Sequence, residues 1–206
     1  IEDAGADPQV RVLVLRGDGL GFCAGADLKE TAAIEEADAA QEHARRLRRL
    51  LETPERITKP VIAEVHGFAL GAGCALALAC DLTVAAGDAC IGLPEMRHHV
   101  VPALVVPGFV RRVGPWMAFD WLANGRVMTA MASGIPGLIC LPEGADLRAE
   151  VAARAAELAR QPADLIAAVK GLVRMSATAD PETAMAGAEQ VNVENRLRRA
   201  RAARQG

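Results

Sequence analysis

The sequence contains no tyrosine, and aromatic residues make up only 3% of its 206 positions. Bases of single-stranded nucleic acid stack on aromatic platforms, so that mode of recognition has almost nothing to work with here. The formal net charge is −3, which leaves no basic excess for tracking a phosphate backbone. Long uninterrupted apolar runs are also missing. Even the segment 61–79 is broken by Glu64, His66 and several glycines, so no bilayer span is expected and no membrane partner. The opening Ile1-Glu2-Asp3-Ala4 is acidic, unlike the basic-then-apolar pattern of a secretory leader. Cysteine is sparse and odd in number: Cys23, Cys74, Cys80, Cys90 and Cys140 form no CxxC pair. That spacing suits neither a disulfide framework nor a metal site, and points to reduced, mostly buried thiols in a cytoplasmic protein. No GK[ST] is present, which excludes a P-loop, and the glycines of 67–73 miss the GxGxxG register of a dinucleotide fold.

What is present is ample apolar material for one full core, with 51% of residues hydrophobic. The β-branched run VRVLVLR (10–16) predicts a buried strand, bounded by Asp7-Pro8 and Gly17-Asp18-Gly19. Residues 36–52 are charged and Ala/Leu-rich, with Leu47, Leu50 and Leu51 at helical spacing, and Pro54 is expected to end that helix. PVIAEV (60–65) predicts a second strand, 74–80 a buried small-residue helix, and DLTVAA (81–86) a third strand. Residues 94–99 form a short polar segment, 103–113 an apolar stretch, and 116–123 a helix. From Asp146 onward the pattern is helical, over 147–160, 162–175 and 181–203. Strand and helix alternate early and helices alone follow, which predicts an α/β core with a helical C-terminal appendage.

Two segments share a layout of strand, small-residue turn, then helix or loop: Phe22-Cys23-Ala24-Gly25-Ala26-Asp27-Leu28 and His66-Gly67-Phe68-Ala69-Leu70-Gly71-Ala72-Gly73-Cys74. Small residues let a ligand carbonyl approach the backbone, and a helix N-terminus offers free N–H groups to negative charge. Two such donors aimed at one point would stabilise an enolate oxygen. Either segment alone reads equally as a simple tight turn.

FCAGADLKE, KPVIAEVHGFALGAGCALALACDLTVAA and the later LPE together resemble the crotonase superfamily, the enoyl-CoA hydratase/isomerase family. The resemblance is nearly continuous over 8–114 and looser beyond. It implies a crotonase-like spiral of ββα units over 1–140 and a helical C-terminal trimerisation region over 141–206. It implies an acyl-CoA substrate, no cofactor beyond the coenzyme A that the substrate carries, no metal, and a homotrimer or dimer of trimers. In the family the backbone N–H groups at the positions of Ala26 and Ala72 form an oxyanion hole, and the backbone at Ala24 meets the adenine end of CoA. Asp27, Leu28, Lys29, Gly73 and Pro94 are the neighbouring candidates for substrate contact, Lys29 toward the phosphates. The resemblance also implies an N-terminal strand pair and most of a helix ahead of Ile1, elements that normally add CoA contacts, so the site would be incomplete without them.

Family hydratases place two glutamates around a water molecule. Here the first position is Ala75 and the second is Glu95, which follows Pro94. Adding water across a double bond calls for a base and an acid, whereas moving a proton from the α- to the γ-carbon needs one carboxylate that takes it and returns it. The single Glu95 therefore favours double-bond isomerisation, in keeping with family isomerases that retain only this glutamate. His98 and His99 lie just beyond and are candidates to assist hydration or decarboxylation, with at most one expected to face the site. A third alternative is an acyl-CoA-binding subunit without turnover. His66 and Asp81 read as structural, and the arginines of 196–204 as a solvated face or a contact for CoA phosphates.

Overall fold

The computed structural model describes residues 1–204, apart from the side chains of Leu28 and Ala202. In chain order it contains α1 (Glu2–Ala6), β1 (Leu13–Arg16), α2 (Leu28–Ala32), α3 (Ala37–Arg56), β2 (Val61–Val65), β3 (Phe68–Leu70), α4 (Ala72–Ala79), β4 (Leu82–Ala86) and β5 (Cys90–Gly92). A 3-10 turn (Pro94–His98) leads into α5 (Val106–Val113), α6 (Pro115–Ala123), β6 (Val127–Thr129) and β7 (Leu138–Leu141). The helices α7 (Leu147–Arg160), α8 (Ala163–Thr178) and α9 (Pro181–Ala202) follow.

The main sheet has the order β1-β2-β4-β7, with every neighbouring pair parallel. A smaller sheet, β3-β5-β6, pairs β3 with β5 in parallel and β5 with β6 antiparallel. Parallel sheets are covered on both faces, so their inner strands carry near-continuous apolar runs. VIAEV of β2 is buried at all five positions. Alternation along the strand divides the core in two. Val61, Ala63 and Val65 face the larger cluster, with Cys74, Ala77, Phe109 and Trp121. Ile62 and Val84 face Val151 and Leu158 of α7 on the other side. Ile62, Val61 and Val84 are completely enclosed, each contributing roughly 1.5–3 kcal/mol of burial.

Several boundaries differ from the sequence expectation. The first strand begins at Leu13 instead of Val10, because its pairing starts where Leu13 meets Val61. Helix α3 runs through the buried Pro54 to Arg56. Its terminal carbonyls are taken up from α8, since Lys170 Nζ donates to Pro54 O at 2.7 Å and Arg174 Nη1 to Glu55 O at 2.9 Å. Those long-range donors satisfy the helix end and let it outrun the proline signal. The expectation of mostly buried thiols needs correcting: all five cysteines are free, but only Cys74 and Cys80 are buried, Cys23 and Cys140 are half-buried and Cys90 is exposed. Among the described residues no helix is long and apolar enough to cross a membrane.

Candidate active site

The two small-residue motifs meet at the edge of the smaller sheet. Cys23 bridges to Ala69 in parallel, Phe22 N donates to Phe68 O at 2.9 Å, and Leu70 N donates to Cys23 O at 2.9 Å. The first motif thereby becomes an extra rung beside β3. Gly25 then turns at φ +104, so close to the second motif that a Cβ there would sit 2.9 Å from Leu70 O and 3.4 Å from Ala72 N. This approach sets the turn at Gly25, just ahead of Ala26, against the start of α4 at Ala72.

Ala72 opens α4, so its N–H has no intrahelical acceptor and sits at the positive end of the helix dipole. Among the described residues neither the Ala26 nor the Ala72 amide donates a hydrogen bond. The chain enters α4 through Gly71 at φ 55, ψ −127, a conformation that only glycine adopts without strain. Gly71 N is tied to Gly92 O at 2.9 Å, which fixes the helix start against the end of β5. Gly73 packs on the Cys23 carbonyl.

Glu95 comes from the 3-10 turn that begins at Pro94, immediately past β5. Its carboxylate covers the bare α-carbon of Gly71, with Oε1 3.2 Å from where a Cβ would stand. Oε2 is buried without a hydrogen-bond partner. Burial pushes the Glu95 carboxyl up from its ordinary value, outweighing its backbone hydrogen bond and the opposing charge of His98. An orphaned buried carboxylate oxygen is costly, about 1–3 kcal/mol, and such groups concentrate at functional sites. His98 stands three residues on, and side chains so spaced eclipse in a 3-10 helix, which places it on the Glu95 face. His99 closes the turn in the left-handed region at φ 59 and is exposed.

The other candidates separate. Asp27 spends its carboxylate on capping α2, accepting from Lys29 N at 2.8 Å and Glu30 N at 3.2 Å. Ala24 and Lys29 are exposed nearby, and the side chain of Leu28 lies outside the described residues. Asp81 accepts from Val61 N and from Lys170 Nζ, each at 2.7 Å, and His66 Nε2 meets Gly19 O at 3.0 Å, so both serve the scaffold. The Cys74 thiol, pushed up to about 12 chiefly by burial, is no nucleophile at neutral pH.

A cavity of about 790 Å³ runs along the flank of α4 between α3, α5 and α8. Its wall includes Ala75, one turn on from Ala72, but not Glu95, Ala26 or Ala72 themselves. This cavity thus adjoins the start of α4 without including Glu95, Ala26 or Ala72. Arg112 lines it with its Nε buried and unpartnered. The sequence expectation passed over this residue, whose signal is a second consecutive arginine inside the apolar run FVRRVG (109–114).

The four-stranded parallel sheet, the smaller sheet whose strand β3 leads into α4, and the trailing helices make up a crotonase-class fold. The model of the family described as enoyl-CoA hydratase/isomerase matches residues 1–204, and the chain belongs to that family. It is 34% identical over 160 residues to a probable enoyl-CoA hydratase of Bacillus subtilis, an alignment spanning 77% of this chain and 61% of that protein. It is 35% identical over 178 residues to the 2,3-dehydroadipyl-CoA hydratase of Escherichia coli, covering 85% of this chain and 69% of that one. Among solved structures, the enoyl-CoA hydratase of Mycobacterium smegmatis superposes with a TM-score of 0.88 at 30% identity, covering 94% of this chain and 76% of that one.

Proposed function

We propose that this protein acts on an acyl-CoA thioester through an enolate held by the Ala26 and Ala72 amides, with Glu95 as the single proton carrier, and that double-bond isomerisation is its favoured reaction. The thioester oxygen gains negative charge when a proton leaves the adjacent carbon. Two fixed N–H donors stabilise that charge without reorganising. Glu95 takes the proton from the α-carbon and returns it at the γ-carbon, or the reverse.

The observation that carries the reading is the Glu95 carboxylate, buried with Oε2 unpartnered and seated against Gly71 beside the free amide of Ala72. With Ala75 in place of a second carboxylate, no other acidic group lines the adjoining stretch of α4. In this reading Asp27, Leu28, Gly73 and Pro94 border the bound substrate, Ala24 meets the adenine end of CoA and Lys29 its phosphates, and no cofactor is needed beyond the CoA of the substrate. Turnover measured side by side on a 2-enoyl-CoA and the matching 3-enoyl-CoA tests it. Conversion of the 3-enoyl ester without hydration of the 2-enoyl ester is expected, and hydration without isomerisation would overturn it.

Hydration or decarboxylation assisted by a histidine is the second reading, favoured by the charge of His98 acting on Glu95. Binding of CoA esters with no turnover would identify a binding subunit instead. We further propose that residues 141–206 assemble the protein as a trimer or dimer of trimers. The exposed Met185, Val193 and Leu197 of α9 offer apolar surface for such contacts. A cytoplasmic location suits the five free thiols.

A further inference from the structure

Among the described arginines, Arg112, on α5, combines an enclosed guanidinium nitrogen, Nε, with the lack of any hydrogen bond or ion pair. Arg154, whose Nε is also orphaned, pairs through Nη2 with Glu150 at 2.7 Å. A guanidinium carries five donors and cannot shed its charge in a protein; Arg112 is half-buried, and its enclosed Nε–H lacks an acceptor.

The other basic groups around the α4 cavity are occupied. Arg48 pairs with Glu52 at 2.7 Å, Arg111 with Glu55 at 2.9 Å, and Lys170 with Asp81 at 2.7 Å. Arg174 donates to the Glu55 carbonyl. Five basic residues stand against three acidic ones in the cavity wall; no carboxylate offsets Arg112 or Arg174, and Arg174 is held by a carbonyl. Arg112 Nη2 lies 3.4 Å from the position a Cβ would take on Gly137, so the bare backbone there leaves room for the guanidinium but supplies no acceptor. The remaining wall is mainly apolar, with Leu51, Leu78, Leu104, Val105 and Phe109 prominent. Ala75 connects that wall to the first turn of α4, where the thioester oxygen is held in the proposed function.

We propose that the cavity receives an acyl chain ending in a carboxylate, and that Arg112 is the specificity-determining residue that pairs with it. Methylenes fit the apolar wall, and a terminal carboxylate supplies the anion that Arg112 lacks. The small side chain at Ala75 puts little bulk between the cavity and the first turn of α4. This inference rests on the proposed acyl-CoA reading for the position of the thioester.

The test compares saturated acyl-CoA esters with ω-carboxyacyl-CoA esters of equal chain length, from four to ten carbons, by titration calorimetry on the wild type. Saturated esters do not react, so binding is read even if turnover fails. At the best chain length the ω-carboxyl ester is expected to bind roughly tenfold to a hundredfold more tightly, as for a charge-assisted hydrogen bond. Arg112→Met should abolish that preference while leaving the binding of the plain ester within about twofold, and Arg112→Lys should restore part of it. Equal affinity for both esters in the wild type overturns the proposal, whether or not either variant folds. A preference that survives Arg112→Met in a folded variant also overturns it. If the preference is present but the unsaturated esters are not turned over, the proposed reaction fails and the carboxylate site stands.

Discussion

Replacing Lys170 by methionine should loosen the wall of the cavity, by an amount the local geometry sets. Lys170 Nζ donates to Pro54 O at 2.7 Å, Lys59 O at 2.8 Å and Asp81 Oδ2 at 2.7 Å. It thereby joins α8 to the end of α3 and to the entry of β2. Removing one partner of a buried ion pair costs about 3–5 kcal/mol. Here the Lys170 side chain is 11% exposed but that of Asp81 is 31% exposed, so solvent screens part of the loss. Asp81 also keeps the amide of Val61. We expect a loss of about 2–3 kcal/mol, or roughly 4–12 °C in Tm for a chain of this size. Burial holds the Asp81 carboxyl above its ordinary value even with Lys170 beside it. Ionising Asp81 as the pH rises therefore costs folded-state stability, and removing the lysine enlarges that cost. The deficit of Lys170→Met should be largest at neutral pH and shrink as the pH falls through the raised titration range of Asp81. Urea unfolding at pH 7 and at acid pH measures both quantities. A deficit below about 0.5 kcal/mol, or one that grows on acidification, would refute the clamp.

Three further outcomes are expected. Gly71→Ala forces a Cβ to 3.2 Å from Glu95 Oε1 at a backbone φ of +55, and should cost about 1–3 kcal/mol together with most of the turnover. Gly134→Ala, at φ +65 with open space around it, should be strained too but keep its activity; equal loss of turnover in both would remove Gly71 from the site. Turnover should rise with pH through a titration above the ordinary carboxylate range, because Glu95 must be ionised to take a proton and burial raises its pKa. The charge of His98 opposes that rise, so His98→Ala should move the acid limb of the profile to higher pH, and an unmoved limb would separate the two residues. Ala75→Glu places a second carboxylate one turn from Ala72 and should introduce hydration of a 2-enoyl-CoA, detected by loss of the conjugated thioester absorbance. Unchanged specificity would show that this position does not face the substrate.

The strands and helices with strong patterns were legible in the residues. PVIAEV is buried throughout because it is the inner strand of a parallel sheet, and Asp146 begins α7 as a side-chain cap. The short strands β3, β5, β6 and β7 carried no such signal, because three or four residues are too few to show a period and long-range pairing alone makes them strands. The same contrast holds at the site. The two glycine-rich motifs and Glu95 were visible as residues, but the close approach of Gly25 to Ala72 depends on the Cys23–Ala69 bridge, which no local pattern announces. Asp27 stood among the substrate contacts by resemblance, while its carboxylate is committed to the start of α2. Arg112 escaped notice because its meaning lies in what does not surround it.

The most direct test of the central claim is the isomerisation of a 3-enoyl-CoA by Glu95→Gln, followed by the absorbance gained on conjugation. General acid–base catalysis contributes about 100- to 10,000-fold, and the isosteric amide leaves the cavity and both backbone donors in place. The account predicts a loss of that size in kcat with CoA-ester binding retained. Wild-type turnover in a folded Glu95→Gln protein would contradict it.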